Sequence, residues 1–330
     1  IAGNHDSGAR LETAEALLQQ HNIYVRGTVH RTEEGYDFAR NILPLSTRHS
    51  SEAAVVCYAL PFLRAIDYPH GMSVEEGLKH HLEQMDKCHK KSDFKSLPVV
   101  VAAHFYAVGA YVNEVEHSER LVVGGQDAVS VGNMAKRYAY TALGHIHKAQ
   151  AVNDLDTVRY AGSPIPLSFS ERDYQRSVTL LNIDEGGNTE VSTLDYTPLC
   201  VLLTLPKYGY ASPEKLLSLL AELPEDDGKQ PRETWPFLEL RVEISQPEPE
   251  LRAQIVQQLS NKAVRFCRVA TNLAHSGERK AEDLPSLANS LEQISPLDLA
   301  QRHYQERFDN EMPDALLQRF KMAEQLLHEA

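Results

Sequence analysis

The 330-residue sequence predicts an α/β fold: a larger body of strands and helices, a small β-α-β-α-β unit behind it, and a helical tail. Three observations carry this. Apolar runs of strand length over 53–60, 97–103 and 138–143 read as strands buried on both faces. Between the first two, Ser73-Val74-Glu75-Glu76 is a capping box that opens a helix. After Pro198, strand and helix patterns alternate five times within about seventy residues, enough for a small unit with its own core.

Taken in order, Ile1-Ala2-Gly3-Asn4-His5-Asp6 reads as the end of a strand opening into a loop. The loop carries three side chains able to bind a metal or move a proton. Residues 7–22 are expected to form a helix, with Ser7 as N-cap and Leu11, Ala14, Leu17 and Leu18 as the apolar face. A strand is expected over 23–29; the polar, turn-rich stretch over 31–51 gives no assignment. The helix opened by Ser73 places Leu78, Leu82 and Met85 inward. His80, His81 and His89 stand among Lys79, Lys87, Lys90 and Lys91 and read as a solvated face rather than a metal site. Strands over 158–160, 177–183 and 189–196 have no helices between them, and residues 184–188 turn the last two into a hairpin.

In the small unit, strands are expected over 199–205, 237–244 and 263–270, with helices from Ser212-Pro213 and over 248–259. Residues 275–289 are polar and read as a linker. Ser295-Pro296-Leu297-Asp298 starts a helix, and a last one after Pro313 gathers Leu316, Leu317, Phe320, Ala323, Leu326 and Leu327 on one side. Two amphipathic helices at a terminus either pack back on the body or dock on a partner. The expected domain boundaries are 1–197, 198–273 and 274–330.

Composition excludes several classes. No apolar run is long enough for a membrane span. There is no basic-then-apolar leader, and the four cysteines fit no Cys-x-x-Cys spacing; Cys57, Cys200 and Cys267 read as small buried side chains. A reduced, cytoplasmic protein is the expectation. The net charge of −13, from 46 acidic and 33 basic residues, is the wrong sign for a surface that tracks a phosphate backbone everywhere. Nucleic-acid contact would need local cations such as Arg120, Lys136 and Arg137, bound metal, or a partner.

Loops at the carboxyl ends of strands are where open α/β folds keep their sites. Asn4-His5-Asp6, His104 and His145/His147 each follow an apolar run. Imidazole and carboxamide ligands suit borderline divalent ions such as manganese, iron or zinc. Such ions activate water and stabilise charge on a phosphoryl group. A histidine beside them, oriented by a carboxylate, could instead supply a proton.

Gly3-Asn4-His5-Asp6, His104 and Gly144-His145-Ile146-His147 resemble the later motifs of the calcineurin-like binuclear metallophosphoesterases. Pro61-Phe62-Leu63-Arg64, the stretch from Ala142 to Gln150 and Gly162-Ser163-Pro164-Ile165-Pro166-Leu167-Ser168-Phe169 resemble one branch in particular, the bacterial Mre-type DNA repair nucleases. The resemblance implies a β-sandwich flanked by helices, a capping and DNA-binding α+β domain, and C-terminal helices that dock on an SMC-like ATPase. It implies a homodimer within a heterotetramer that cleaves DNA at double-strand ends and hairpins. It also implies two divalent ions, Mn2+ with Mg2+ as the alternative. Asn4, His104 and His145 would hold one ion and His147 the other. His5 would be the catalytic histidine, with Asp6 as its partner.

The sequence departs from that pattern at Ala103, where the family has glycine, and in lacking the family's Asp-x-His and Gly-Asp-x-x-Asp motifs. Asp154 and Asp156 read as turn residues and do not replace them. The expectation is therefore an N-terminally truncated nuclease with an incomplete second metal site and impaired activity. Two other readings stand beside it: a stand-alone phosphoesterase, and a non-catalytic scaffold that docks on the ATPase.

Overall fold

A computed structural model describes residues 1–33, 35–46, 50–111, 128–184, 186–244, 248 and 250–273, with positions 297, 300, 301, 304, 312, 313 and 316–320. The chain divides into two compact units, Ile1–Leu273 and Ala274–Ala330. The linker, the Ser295-Pro296 helix start and Arg120 lie outside the described residues. In the second unit the N–H groups of Leu316 and Leu317 both reach the Pro313 carbonyl, the turn expected after that proline.

The order in the first unit is α1 (Gly8–Leu11), α2 (Glu15–Gln19), β1 (Arg31–Thr32), β2 (Gly35–Tyr36), β3 (Ile42–Ser46), β4 (Ala53–Leu60), α3 (Val74–His89), β5 (Val99–His104), α4 (Gly132–Arg137), β6 (Tyr140–Gly144), β7 (Gln150–Val152) and β8 (Leu155–Tyr160). The hairpin β9 (Arg176–Ile183) and β10 (Thr189–Tyr196) follows, then β11 (Leu202–Leu205), α5 (Pro213–Ala221), β12 (Phe237–Ile244), α6 (Leu251–Gln258) and β13 (Arg265–Leu273).

The main sheet runs β3-β4-β5-β6-β8-β7, with β4, β5, β6 and β8 parallel and the two edges antiparallel. The central parallel strands are apolar along their length, but burial alternates: Val56, Tyr58, Val101 and Ala103 are buried, while Ala54 is exposed and Val100 and Ala102 are half-buried. Val56, Tyr58, Leu60, Val101 and Leu143 pack with Leu78, Leu82 and Met85 of α3. That helix keeps its capping box, Ser73 accepting from Glu76 N and Glu76 from Ser73 N. The register sets Leu60 beside Ala103 and His104 beside Gly144, so three strand ends form one edge.

The small unit is a parallel sheet in the order β11-β12-β13 whose helices α5 and α6 touch one another. Leu216, Leu220, Leu238, Leu240, Val242 and Ile255 form its separate core. Glu239 is fully buried and bonds to Arg241 and Arg268; Arg268 also stacks over Phe169 of the main body.

Several expectations change. The 7–22 helix is broken by a 3-10 turn at Glu12–Ala14, and Ser7 makes no side-chain cap bond. Leu11 and Leu17 stay exposed. The segment follows its acids instead: Glu12 takes the N–H groups of Gly27 and Thr28 and pairs with Arg40, while Glu15 pairs with Arg26 and Arg40. Burial alone would raise the Glu12 carboxyl, but the Thr28, Gly27 and Arg40 hydrogen bonds pull it down to about 2. No strand forms over 23–29; there the Gly27 and Thr28 N–H groups serve the Glu12 side chain rather than a ladder.

His81 and His89 are not on a solvated face. His81 is buried against the Asp67 carbonyl, and His89 bridges the Tyr58 hydroxyl and the Phe94 carbonyl. Of the three cysteines expected to be buried, Cys267 is exposed and Cys57 and Cys200 are half-buried; all four thiols are free. The second layer expected of a sandwich is, among the described residues, the two-stranded β9–β10 ribbon. Asp154 sits at φ 58 in the turn between β7 and β8, as a turn residue should. Among the described residues no helix is long and apolar enough to cross a membrane.

Candidate metal centre

The first six residues are not a strand, yet they are placed as firmly as one. Ala2 is buried, its N–H bonded to the Arg26 carbonyl and its carbonyl to the Phe62 N–H just past β4. Asp6 closes the loop by accepting the Gly3 N–H at 2.7 Å. This carries Asn4 to the end of β5, where its Oδ1 lies 3.1 Å from His104 Nε2. The His145 ring meets His104 edge to face, with centroids 5.4 Å apart, and Phe62 closes the other side at 6.0 Å.

Two glycines make the approach possible. A Cβ on Gly3 would stand 2.6 Å from His104 Cε1, and one on Gly144 would stand 2.8 Å from His104 Nδ1. His145 adopts φ 117, a region that side chains with a Cβ rarely enter. Strain of this kind persists where the surroundings over-determine it, and it gathers at functional sites. Gly3→Ala is expected to push the His104 ring off Asn4 and lower stability by about 1–3 kcal/mol through overpacking. The check is the midpoint of urea unfolding.

Burial, then the neighbouring His145, holds the His104 pKa down at about 4; His5 adds to this and Asp6 opposes it. His145 is also lowered, by burial first and then by His147 and His5. Both rings are therefore neutral at pH 7, the protonation state in which imidazole binds metals.

His147 is oriented by a residue the sequence did not single out. Its Nδ1 lies 2.8 Å from Oε1 of Glu171, which is fully buried. Arg176, also buried, faces Glu171 Oε2 at 3.4 Å and donates to its backbone carbonyl. The Leu167 N–H donates to the same carboxylate oxygen. Beside a guanidinium the carboxylate is ionised, so His147 Nδ1 carries the proton and Nε2 is the ring's basic nitrogen. A Cβ on Gly162 would meet the His147 carbonyl at 2.9 Å, so the chain can run this close only with glycine there.

The structure thus brings Asn4, His5, His104, His145 and His147 to one edge of the sheet. His5 is exposed. Asp6 spends its carboxylate on the Gly3 N–H, and no hydrogen bond joins it to His5 among the described residues. Arg64, stacked on Phe62 and reaching the Asp6 carbonyl, adds an exposed cation beside the loop. Lys136 and Arg137 do not belong to this edge; they precede β6 at its far end from His145. The mixed oxygen and nitrogen donors of Asn4, His104 and His145 fit one divalent ion. Among the described residues, no three His, Cys, Asp or Glu side chains are grouped to hold an ion by themselves. Glu171 was missed because its signal is only that a carboxylate eventually follows His147; its 24-residue separation hides the contact.

The family model described as the type 5 capsule protein repressor C-terminal domain, SbcD_C, matches residues 201–308. The SbcD subunit of the nuclease SbcCD from Rhodobacter capsulatus is 33% identical over 265 residues, covering 77% of this chain and 63% of the relative. The chain is SbcD-like. The corresponding SbcCD subunit from Escherichia coli K12 is 32% identical over 217 residues, 61% of this chain and 51% of its own length. That of Bacillus subtilis is 30% identical over 200 residues, 56% of this chain and 46% of its own. The SbcD-like chain therefore spans between about half and 63% of these curated relatives.

Proposed function

We propose that this SbcD-like chain is the metal-binding part of a DNA nuclease subunit that hydrolyses phosphodiester bonds with an SbcC-type, SMC-like ATPase partner. The observation that carries the reading is the meeting of Asn4 Oδ1 with His104 Nε2 at 3.1 Å, with His145 against them. Asn4, His104 and His145 would hold one divalent ion, Mn2+ by donor type with Mg2+ as the alternative, and His147 would contribute to a second. Bound there, the ions would supply Lewis-acid charge stabilisation and an activated water. His5, exposed at the loop tip, protonates the leaving oxygen as the P–O bond breaks. Glu171 fixes the tautomer of His147, and Arg64 offers charge to a phosphate. DNA ends and hairpins as substrates, a homodimer within a heterotetramer, and docking through the helices after Ser295 complete the proposal.

The second ion lacks a carboxylate-rich site within the described residues, which favours slow hydrolysis by this chain alone. The same observation keeps a non-catalytic scaffold as the second reading. A calorimetric Mn2+ titration separates them. One ion per chain, lost in His104→Ala, is expected. Two tightly held ions would refute the incomplete second site, and no binding at all would leave the scaffold.

A further inference from the structure

At the amino end of the same sheet, opposite the histidines, lies a cleft of about 710 Å3 walled by Lys90, Lys95, Pro98, Lys136, Arg137 and Tyr138. We infer that this cleft binds the phosphodiester backbone of nucleic acid as a contact separate from the histidine cluster. Nucleic acid as the ligand class rests on the function proposed above; the anionic nature of the ligand rests on the cleft alone.

Charge decides the class. Lys90, Lys95 and Lys136 are exposed and, among the described residues, have no ion-pair partner. The carboxylate in the wall, Asp86, is taken by Arg137 and by the Tyr58 hydroxyl at 3.0 Å. Both α3 and α4 end here, and a helix C-terminus carries about half a negative charge. Four cations against Asp86 and two such ends leave roughly +2, in a chain whose net charge is −13. Helix ends account for lysines in or next to their last turns, as Lys90 and Lys136 are. They do not account for Lys95, which lies beyond both helices.

Position decides that the ligand is a polymer. From Val99 at the cleft to His104 is the length of β5, about 17 Å at the usual strand rise. A phosphate held by the histidines cannot also be held by these lysines. The cleft would therefore add affinity for a chain of phosphates and none for a small diester. Its footprint is also independent of sequence, because lysine reads phosphate as a point charge.

The test is binding of a DNA duplex of about thirty base pairs to the full chain in EDTA, followed by fluorescence anisotropy across a salt series. The variant is Lys90→Gln/Lys95→Gln/Lys136→Gln, which leaves the Arg137–Asp86 pair in place. Affinity is expected to fall at least tenfold, and the slope of log K against log salt to shrink by about 2.7, with circular dichroism and Mn2+ binding unchanged. Wild-type affinity and slope in the variant would overturn the inference. So would an equal loss in Lys79→Gln/Lys215→Gln/Lys229→Gln, which removes the same charge elsewhere. Because the measurement needs no metal, failure of the hydrolytic reading would show separately, as absent Mn2+ binding.

Discussion

Replacing Glu171 with alanine is expected to destabilise the protein by about 3–5 kcal/mol, because it leaves a buried guanidinium without its carboxylate. Arg176 is only 4% exposed, and Glu171 supplies both its charge partner and a backbone acceptor. The shift in the urea midpoint at constant slope measures the loss. Glu171→Leu combined with Arg176→Met should recover most of it, since a well-packed apolar pair is often as stable as the ion pair it replaces. Recovery of the fold would not recover the function of the pair. The double variant removes the acceptor that fixes the His147 tautomer, and loss of such an outer partner typically weakens metal binding 10–100-fold. Glu171→Ala as stable as the wild type would refute this account of the dyad.

The metal-free protein is expected to lose about 3 kcal/mol from His104 alone as pH falls from 6.5 to 4. The sign follows from proton counts. His104 titrates near 4 in the folded chain and near 6.5 unfolded, so between those values the unfolded state binds the extra proton. The contribution is fully present above pH 6.5, shrinks across the window, and is gone below about 4. His145 and His81, both lowered by burial, add in the same direction. Urea unfolding in EDTA at several pH values measures the total, and His104→Gln isolates the part that belongs to His104. A pH profile in the variant parallel to the wild type would show that His104 is not held neutral by the fold.

Much of the fold was legible because its signals are local. The continuous apolar runs at 53–60 and around 140, the capping box at Ser73 and the serine-proline start at Ser212 gave elements within a residue or two of those observed. The β-α-β-α-β order of the small unit was legible too, but its expected α+β character was not observed: the three strands pair in parallel. Prediction failed where a side chain outcompeted the ladder. Glu12 drew the backbone of Gly27 and Thr28 away from a strand, and the same acids bent the helix that carries them. The histidines of α3 failed for a related reason: lysines beside them in sequence suggested water, but a helix turns neighbours onto different faces, and His81 and His89 turn inward.

For the site, the sequence by itself determined which chemical groups are present. Asn4, His5, His104, His145 and His147 were named from residue type and from their place after apolar runs, together with the resemblance. Only the tertiary structure decided that they share one edge, because the register pairing His104 with Gly144 is set by hydrogen bonds between strands far apart in the chain. It also decided what sequence reading left out. Glu171 orients His147 across 24 residues, and Lys95 and Lys136 line one cleft at the opposite end of the sheet from the histidines. Residue type is written in one dimension; which charge faces which is fixed only when the strands pair and the core closes between them.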